Sequence, residues 1–243
     1  MSGSPRFRLA HARHGRRAIA FVWVALAFLL TGTPSARAGA GRDDAHDGVW
    51  ASVGLLGGST RIDPRLSNYA WDTRPRAAWG ALASVGRGRF SLGARAWRST
   101  TVQALSLPGI SASPAVRSTT LDALLRVRVA TLLGTRVSAD ASVGSLRIDY
   151  RPDHVSVPQG AGAPLDIDFA AIQRPVAGGG VSFQHDVPGH LTLGLAVDTR
   201  WFDLDTAHRR GAGIVYERET FGDWSARFEL AREISFGVKG AWR

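Results

Sequence analysis

Apolar and polar residues alternate along much of this chain with a period of two, the pattern of β-strands that have two chemically different faces. The clearest run covers 224–243. Its even positions carry Trp224, Ala226, Phe228, Leu230, Ile234, Phe236, Val238 and Trp242, and its odd positions carry Ser225, Arg227, Glu229, Glu233, Ser235, Lys239 and Arg243. No segment after residue 47 keeps a 3.6-residue period, so the pattern predicts an all-β protein.

Similar runs predict seven further strands and a regular alternation of short and long connections. The strands are expected at 48–57, 77–86, 89–100, 121–133, 136–143, 176–185 and 190–202. Short turns are expected near 86–88, 134–135 and 186–189, and long loops over about 58–76, 103–117, 151–175 and 206–223. Eight strands with this alternation predict a closed antiparallel up-and-down transmembrane β-barrel. An extra hairpin within 206–223 would instead make ten strands.

Face parity also predicts the lengths of two turns. Val85 and Phe90 belong to the same face, which suits a two-residue loop at Arg87-Gly88. Odd-numbered residues point outward on both sides of Gly134, so that loop is expected to hold an odd number of residues. A three-residue loop would place Asp140 opposite or diagonal to Arg128 and predicts an ion pair between them.

The distribution of charge decides which face of the barrel is expected to meet lipid. The polar faces carry both signs at similar heights, so their side chains can neutralise one another in a lumen: Arg95, Arg126, Arg128, Asp140, Asp198, Arg200, Glu229 and Lys239. Two arginines interrupt the apolar faces, Arg98 and Arg232, and both are expected at the outer edge of the apolar band, where an arginine costs little. Trp79 and Trp201 at one end and Trp242 at the other predict an aromatic girdle. A soluble barrel would carry the opposite orientation, with its apolar face inside.

The N-terminal region has the pattern of a signal peptide. Arg16-Arg17 precede an apolar run of 13 residues, 18–30, which is short for a transmembrane helix. Ala36-Arg37-Ala38 is a small-x-small cleavage site, so we expect residues 1–38 to be removed and 39–47 to form a polar leader.

Net charge and cysteine content exclude several classes of function. The formal charge is +10, but the first 38 residues hold six arginines and no acid. The remainder has 24 basic and 20 acidic residues and no block of basic residues, so no nucleic-acid partner is expected. The chain has no cysteine, which excludes disulfides and thiolate metal sites.

The C-terminal strand resembles the assembly signal of bacterial outer-membrane barrels, with Ser235, Gly237 and Trp242 in the expected order. On this strand and the strand plan over 48–243, the chain resembles the small eight-stranded barrels of the OmpA/OmpX/OmpW-type group. The resemblance implies short periplasmic turns, long extracellular loops and folding by the barrel-assembly machinery. It also implies a location in the outer membrane of a Gram-negative-type envelope, among lipid and lipopolysaccharide.

Three functions are compatible with a small barrel of this kind. The first is a structural, adhesin-like or small-ligand-binding role with a lumen filled by side chains. The alternatives are a narrow porin-type channel and a lipid-modifying enzyme. His154 and His208 fall in expected outer loops, near Ser156 and Asp205 in sequence only, and form no motif. We therefore predict no catalytic residues, no metal and no cofactor, with the loop Arg151–Pro175 as the recognition surface.

Overall fold

The structure is a computed structural model that describes residues 49–104, 113–158, 164–211 and 213–236. The expected signal peptide 1–38, the leader 39–47, and Gly237, Lys239 and Trp242 lie outside these residues. Within the described part of the chain, no helix is long and apolar enough to cross a membrane.

Eight long strands form a closed antiparallel barrel, which confirms the predicted fold class. They are β1 (Val49–Ile62), β2 (Arg76–Arg87), β3 (Phe90–Val102), β4 (Ala115–Leu132), β5 (Thr135–Arg151), β8 (Ile172–Val187), β9 (Leu191–Arg210) and β10 (Gly213–Phe236). β1 pairs with both β2 and β10, so the ring has no free edge. A separate hairpin of β6 (His154–Val157) and β7 (Leu165–Asp168) lies in the connection from β5 to β8. The ten-stranded alternative for the barrel is wrong.

Side-chain exposure gives the orientation of the barrel wall directly. Along β9, Leu195 and Val197 are 58% and 50% exposed. Ala196, which lies between them, and Asp198, which follows Val197, are both buried. The apolar face therefore points away from the lumen and the charged face into it. This is the orientation of a barrel whose outer surface contacts lipid.

Several strands extend beyond the predicted lengths at the end opposite the short turns, which we call the loop end. In these extensions the alternation inverts. Leu146 and Ile148 of β5 point inward and are buried, and Arg147 between them is exposed. On β9 likewise, Leu204 is buried and Asp205 is exposed. The expectation of a long loop over 206–223 was wrong, because β9 and β10 occupy nearly all of it.

The described residues fall into two compact units. Thr206–Arg218 belong to one of them, and the other holds the described residues of 49–205 and 219–236. Within the smaller unit, the Thr206 hydroxyl donates to the carbonyl of Glu217 at 3.0 Å. Arg210 forms an ion pair with Glu217 at 2.5 Å. His208 lies on β9 rather than in a loop.

The turn between β2 and β3 differs by one position from the prediction. Arg87 pairs with Phe90, so the two loop residues are Gly88 and Arg89 rather than Arg87 and Gly88. Gly88 has φ +59°, and a type II′ hairpin places such a glycine at the first loop position. The register consequently puts Gly80 opposite Trp97, where a Cβ on Gly80 would overlap the backbone of β3.

The turn between β4 and β5 corrects the predicted pairing of Asp140. The loop holds two residues, Leu133 and Gly134, and both have positive φ, as a type I′ turn requires. An odd number of loop residues was expected because odd-numbered residues point outward on both strands. A β-bulge between Arg128 and Ala130 supplies the extra residue within β4, so the loop itself holds only two. As a result Asp140 lies opposite Arg126, and Arg128 lies opposite Ser138.

Candidate functional site

The lumen holds a network of buried charges, and Arg95 on β3 lies at its centre. The Nε of Arg95 donates to Asp122 on β4 at 2.9 Å, and its Nη1 donates to Asp198 on β9 at 2.9 Å. Arg95 is only 2% exposed. The guanidinium therefore joins opposite walls of the barrel, because β3 and β9 are not neighbours in the ring.

A second layer of charges lies nearer the short turns. Arg126 on β4 makes two hydrogen bonds with Asp140 on β5, both at 2.9 Å. It makes two more with Glu229 on β10, both at 3.1 Å. The expected partner of Asp140, Arg128, forms no ion pair among the described residues. It lines a small cleft at the turn end of the lumen with Arg89, Arg136 and the Trp50 ring.

Three residues outside the predicted lumen set complete the network, namely Asp122, Asp223 and Arg227. Arg200 makes two hydrogen bonds with Asp223, at 2.8 and 2.6 Å, and a third with the Thr120 hydroxyl at 2.9 Å. Arg227 is ion-paired with Asp198 and lies 3.7 Å from Glu229. Arg227 and Asp122 already lie on the polar faces of the predicted strands 224–243 and 121–133, and extending the last strand by one residue would have added Asp223.

The buried charges nearly balance. Four arginines, Arg95, Arg126, Arg200 and Arg227, face five carboxylates, Asp122, Asp140, Asp198, Asp223 and Glu229. A buried ion pair gains little net stability after desolvation, but removing one partner leaves an uncompensated charge and costs about 3–5 kcal/mol. The network therefore specifies which strands meet across the lumen more than it adds to overall stability.

Small residues on β8 make room for these side chains. Gly178 lies opposite Arg200, and a Cβ on Gly178 would come within 2.9 Å of the Arg200 Cγ and of the Ser142 hydroxyl. Gly180 lies between Asp140 and Asp198 in the same way. Bulky lumenal side chains therefore explain Gly178 and Gly180, whereas a Cβ on Gly179 would meet only a backbone oxygen, at 3.5 Å.

An apolar cluster fills the barrel at the loop end, beyond the charged layers. Its buried members come from six strands and from the first loop: Ile62, Leu66, Trp71, Val116, Leu146, Ile148, Val176, Phe202, Leu204 and Phe221. The loop part is a 3-10 helix, Pro64–Tyr69, whose Leu66 is fully buried. Buried side chains therefore lie in the lumen at the Arg126 layer, at the Arg95 layer and beneath this helix.

Polar contacts hold the 3-10 helix over the cluster. Asp63 caps the helix by accepting from the backbone N–H of Arg65 at 2.9 Å, and its carboxylate pairs with the Arg65 guanidinium at 2.8 Å. These contacts hold the pKa of Asp63 below its usual value, with the Arg65 side chain as the main cause. The Tyr69 hydroxyl donates to the carbonyl of Asp205 at 2.8 Å, and burial raises the pKa of Tyr69 to about 12.

The outer surface carries an apolar belt with an aromatic edge. Trp79 and Trp201 lie on the loop-end side of the belt, 63% and 44% exposed, and Trp224 (62%) joins them although it was not predicted to do so. The Arg98 guanidinium lies 5.4 Å from the centre of the Trp79 ring. An even-stranded barrel with an outward apolar belt, an aromatic edge and a charged interior is the architecture of outer-membrane β-barrels, and this chain has it.

The height of the second arginine on the outer face, Arg232, differs from the prediction. Arg232 was expected at the same height as Arg98, but it pairs with Val53, only four residues from the start of β1 at the turn end. The prediction measured the height of Arg232 from Trp242 as the lower end of the strand, whereas the described part of β10 ends at Phe236. Of the predicted assembly signal, Ser235 pairs with Trp50, and Gly237 and Trp242 lie outside the described residues.

The β6–β7 hairpin brings together residues that sequence reasoning left apart. His154 lies between Ser156, at 3.2 Å from its Nε2, and Asp168, at 2.8 Å from its Nδ1. The Ser156 hydroxyl donates to Asp166 at 2.5 Å, and the His154 Nε2 lies 3.6 Å from the same carboxylate. Because the Ser156 hydroxyl donates to Asp166, it can accept from Nε2 of His154 only when both ring nitrogens carry a proton. The hydrogen bond to Asp168 and the surrounding carboxylates raise the pKa of His154.

Comparisons with known proteins identify similar folds only. No protein-family model and no curated protein sequence matches the chain. Among solved structures, Neisserial surface protein A is 7% identical, with a TM-score of 0.49, covering 78% of this chain and 99% of its own. A major outer membrane protein from Thermus thermophilus is 12% identical, with a TM-score of 0.46 and coverages of 76% and 99%. The attachment invasion locus protein Ail of Yersinia pestis, in complex with the heparin analogue sucrose octasulfate, is 7% identical, with a TM-score of 0.39 and the same coverages.

Proposed function

We propose that this chain is a non-conducting outer-membrane barrel that anchors and displays surface loops, with a structural or adhesin-like role. The observation that supports this most strongly is the filled lumen. The layers of Arg126 and Arg95 are bridged across the barrel, and the apolar cluster with Leu66 covers them at the loop end. An ion would have to displace paired charges and then cross a dry apolar layer, which is costly for any charged solute.

The loop between β5 and β8 is the surface we assign to recognition. It carries the β6–β7 hairpin, on which the side chains of His154, Asp166 and Asp168 are exposed. Two strands held by four paired positions give the loop a defined shape. The rigid barrel would support that shape, as scaffolds do for binding loops elsewhere.

Planar-bilayer recording tests the closed lumen. We expect the folded, purified barrel to add no stepwise conductance above the bare bilayer under conditions in which a general porin opens channels readily. Long-lived unitary steps that scale with protein concentration would establish the channel alternative and overturn the proposal.

Cell adherence tests the display role. Cells that express the full chain are compared with cells in which residues 153–170 are replaced by a short glycine-serine linker, with epithelial monolayers and polystyrene as the probes. We expect the linker variant to lose adherence while it keeps outer-membrane location and heat-modifiable mobility on gels. Equal adherence by a variant that is folded and surface-located would contradict the assigned role.

A further inference from the structure

Three arginines form a basic surface on the outside of β3, β4 and β5, just beyond the edge of the apolar belt. Arg98 on β3 pairs with Thr119 on β4, which pairs with Arg147 on β5. Arg117 lies on β4 two residues beyond Thr119 toward the loops. With strands about 4.8 Å apart and about 3.3 Å per residue, the three Cα atoms lie within about 10 Å of one another.

The neighbouring residues show that these side chains point outward. Trp97 and Ser99 on either side of Arg98 are buried, and so are Leu146 and Ile148 on either side of Arg147. Val116 next to Arg117 is also fully buried. The three guanidinium groups therefore face the surroundings of the barrel and not its lumen.

The surface keeps a positive charge after its own ion pairs are counted. The Nε of Arg147 donates to Asp149 at 2.9 Å, which leaves its two Nη groups available. Asp149 also lies opposite Arg117 in the register, so Arg117 and Arg147 share this one carboxylate. The side-chain contacts of Arg98 are with the Trp79 ring. Arginine with free Nη groups suits the bidentate binding of phosphate oxygens.

At the corresponding position on the opposite wall of the barrel, the outer face carries acidic residues. Beyond Trp201, the next two outward residues of β9 are Asp203 and Asp205, and Asp203 accepts a hydrogen bond from Thr220 of β10 at 2.7 Å. At this height β9 therefore presents acidic residues on its outer face, whereas β3, β4 and β5 present basic ones.

We infer that Arg98, Arg117 and Arg147 form a binding site for the phosphate groups of an outer-leaflet glycolipid, such as the lipid A part of lipopolysaccharide. The inference rests on the proposed membrane location. A lipid is favoured over a soluble polyanion because the site adjoins the exposed Trp79 at the belt edge. Headgroups lie at that height, and aromatic and basic residues meet them there.

Binding of purified lipid A to the full chain in detergent tests the site, with native mass spectrometry as the readout. The variant R98Q/R117Q/R147Q removes the three charges, and R87Q/R89Q/R232Q removes three exposed arginines at the turn end as the matched control. Each arginine near a phosphate surface is expected to strengthen binding about fivefold. We therefore expect binding about 100-fold weaker for the first variant and less than twofold weaker for the control. Bisphosphorylated lipid A is compared with dephosphorylated lipid A, and inorganic phosphate is added as a competitor.

Binding by R98Q/R117Q/R147Q within threefold of the unmodified chain, or equal binding of dephosphorylated lipid A, would overturn the inference. Displacement of lipid A by millimolar inorganic phosphate would also overturn it, since that marks a general anion site. Heat-modifiable mobility of each variant shows that it is folded. If the unmodified chain fails to reach the outer membrane, the proposed function fails instead, so the two failures are distinguishable.

Discussion

Asp140 lies directly opposite Arg126 across the β4–β5 pair, and the carboxylate and guanidinium make two hydrogen bonds of 2.9 Å each. Glu229 approaches the same guanidinium from the far side of the lumen at 3.1 Å. This one arginine therefore ties a neighbouring strand and a distant one to β4.

Removing Asp140 should destabilise the barrel far more than removing Arg128, the partner expected from sequence. Asp140→Ala leaves a buried arginine with one partner, so we expect the free energy of unfolding to fall by about 3 kcal/mol or more. Arg128→Ala is expected to change it by less than about 1 kcal/mol, because Arg128 has no ion pair among the described residues. Urea unfolding in vesicles, followed by the mobility shift on unboiled gels, measures both. Equal effects of the two substitutions would contradict the assigned pairing.

The β4–β5 turn provides a test in the stabilising direction. Leu133 is fully exposed at φ +50°, a conformation that costs a branched, non-glycine residue about 1 kcal/mol. We expect Leu133→Asn to increase the free energy of unfolding by about 0.5–1 kcal/mol, since asparagine tolerates this conformation. Gly134→Ala, at φ +77°, should decrease it. The same urea assay applies, and a destabilised Leu133→Asn variant would argue against the type I′ turn.

The β6–β7 hairpin should respond to pH through His154. The pKa of His154 is raised in the folded hairpin by its hydrogen bond to Asp168. A raised folded pKa means that the contribution to stability is fully present below the unfolded value of about 6.5 and is lost as pH rises through the folded pKa. NMR titration of the imidazole should therefore give a midpoint above that of a free histidine, and Asp168→Asn should lower it. An unchanged midpoint in Asp168→Asn would rule out this coupling.

Cleavage of the N-terminal segment remains a prediction from sequence. The apolar run 18–30 and Ala36-Arg37-Ala38 indicate removal of residues 1–38. Intact-mass measurement of protein extracted from outer membranes should give a chain that begins at Gly39. Ala38→Arg should block cleavage at that bond, and a mature protein that retains residue 18 would contradict the assignment.

The sequence predicted the barrel well wherever its wall contacts lipid, because lipid outside and charge inside impose a strict period of two. It failed where that physical contrast ends. At the loop end, buried residues such as Leu146 and Phe202 face inward and Arg147 and Asp203 face outward, so the inverted pattern resembles an irregular loop. The sequence also did not reveal the β-bulge after Arg128, because one extra residue in a strand leaves the amino-acid composition of that segment almost unchanged.

The same reasoning explains which site residues were found. Parity alone selects a lumenal residue such as Arg95, but its partners on β4 and β9 depend on the register and on the closure of the ring. The contact of His154 with Asp168 requires a hairpin inside a long loop, and the sequence analysis treated 151–175 as one loop without strands.

The central claim is that apolar side chains face lipid and charged ones face a closed lumen, and site-directed spin labelling tests it most directly. The chain has no cysteine, so single cysteines at positions 191 to 198 of β9 carry the only labels. In lipid vesicles we expect oxygen accessibility to alternate, high at Leu193, Leu195 and Val197 and low at Thr192, Ala196 and Asp198. High accessibility to a water-soluble nickel reagent at Leu193, Leu195 and Val197, without alternation, would contradict the account.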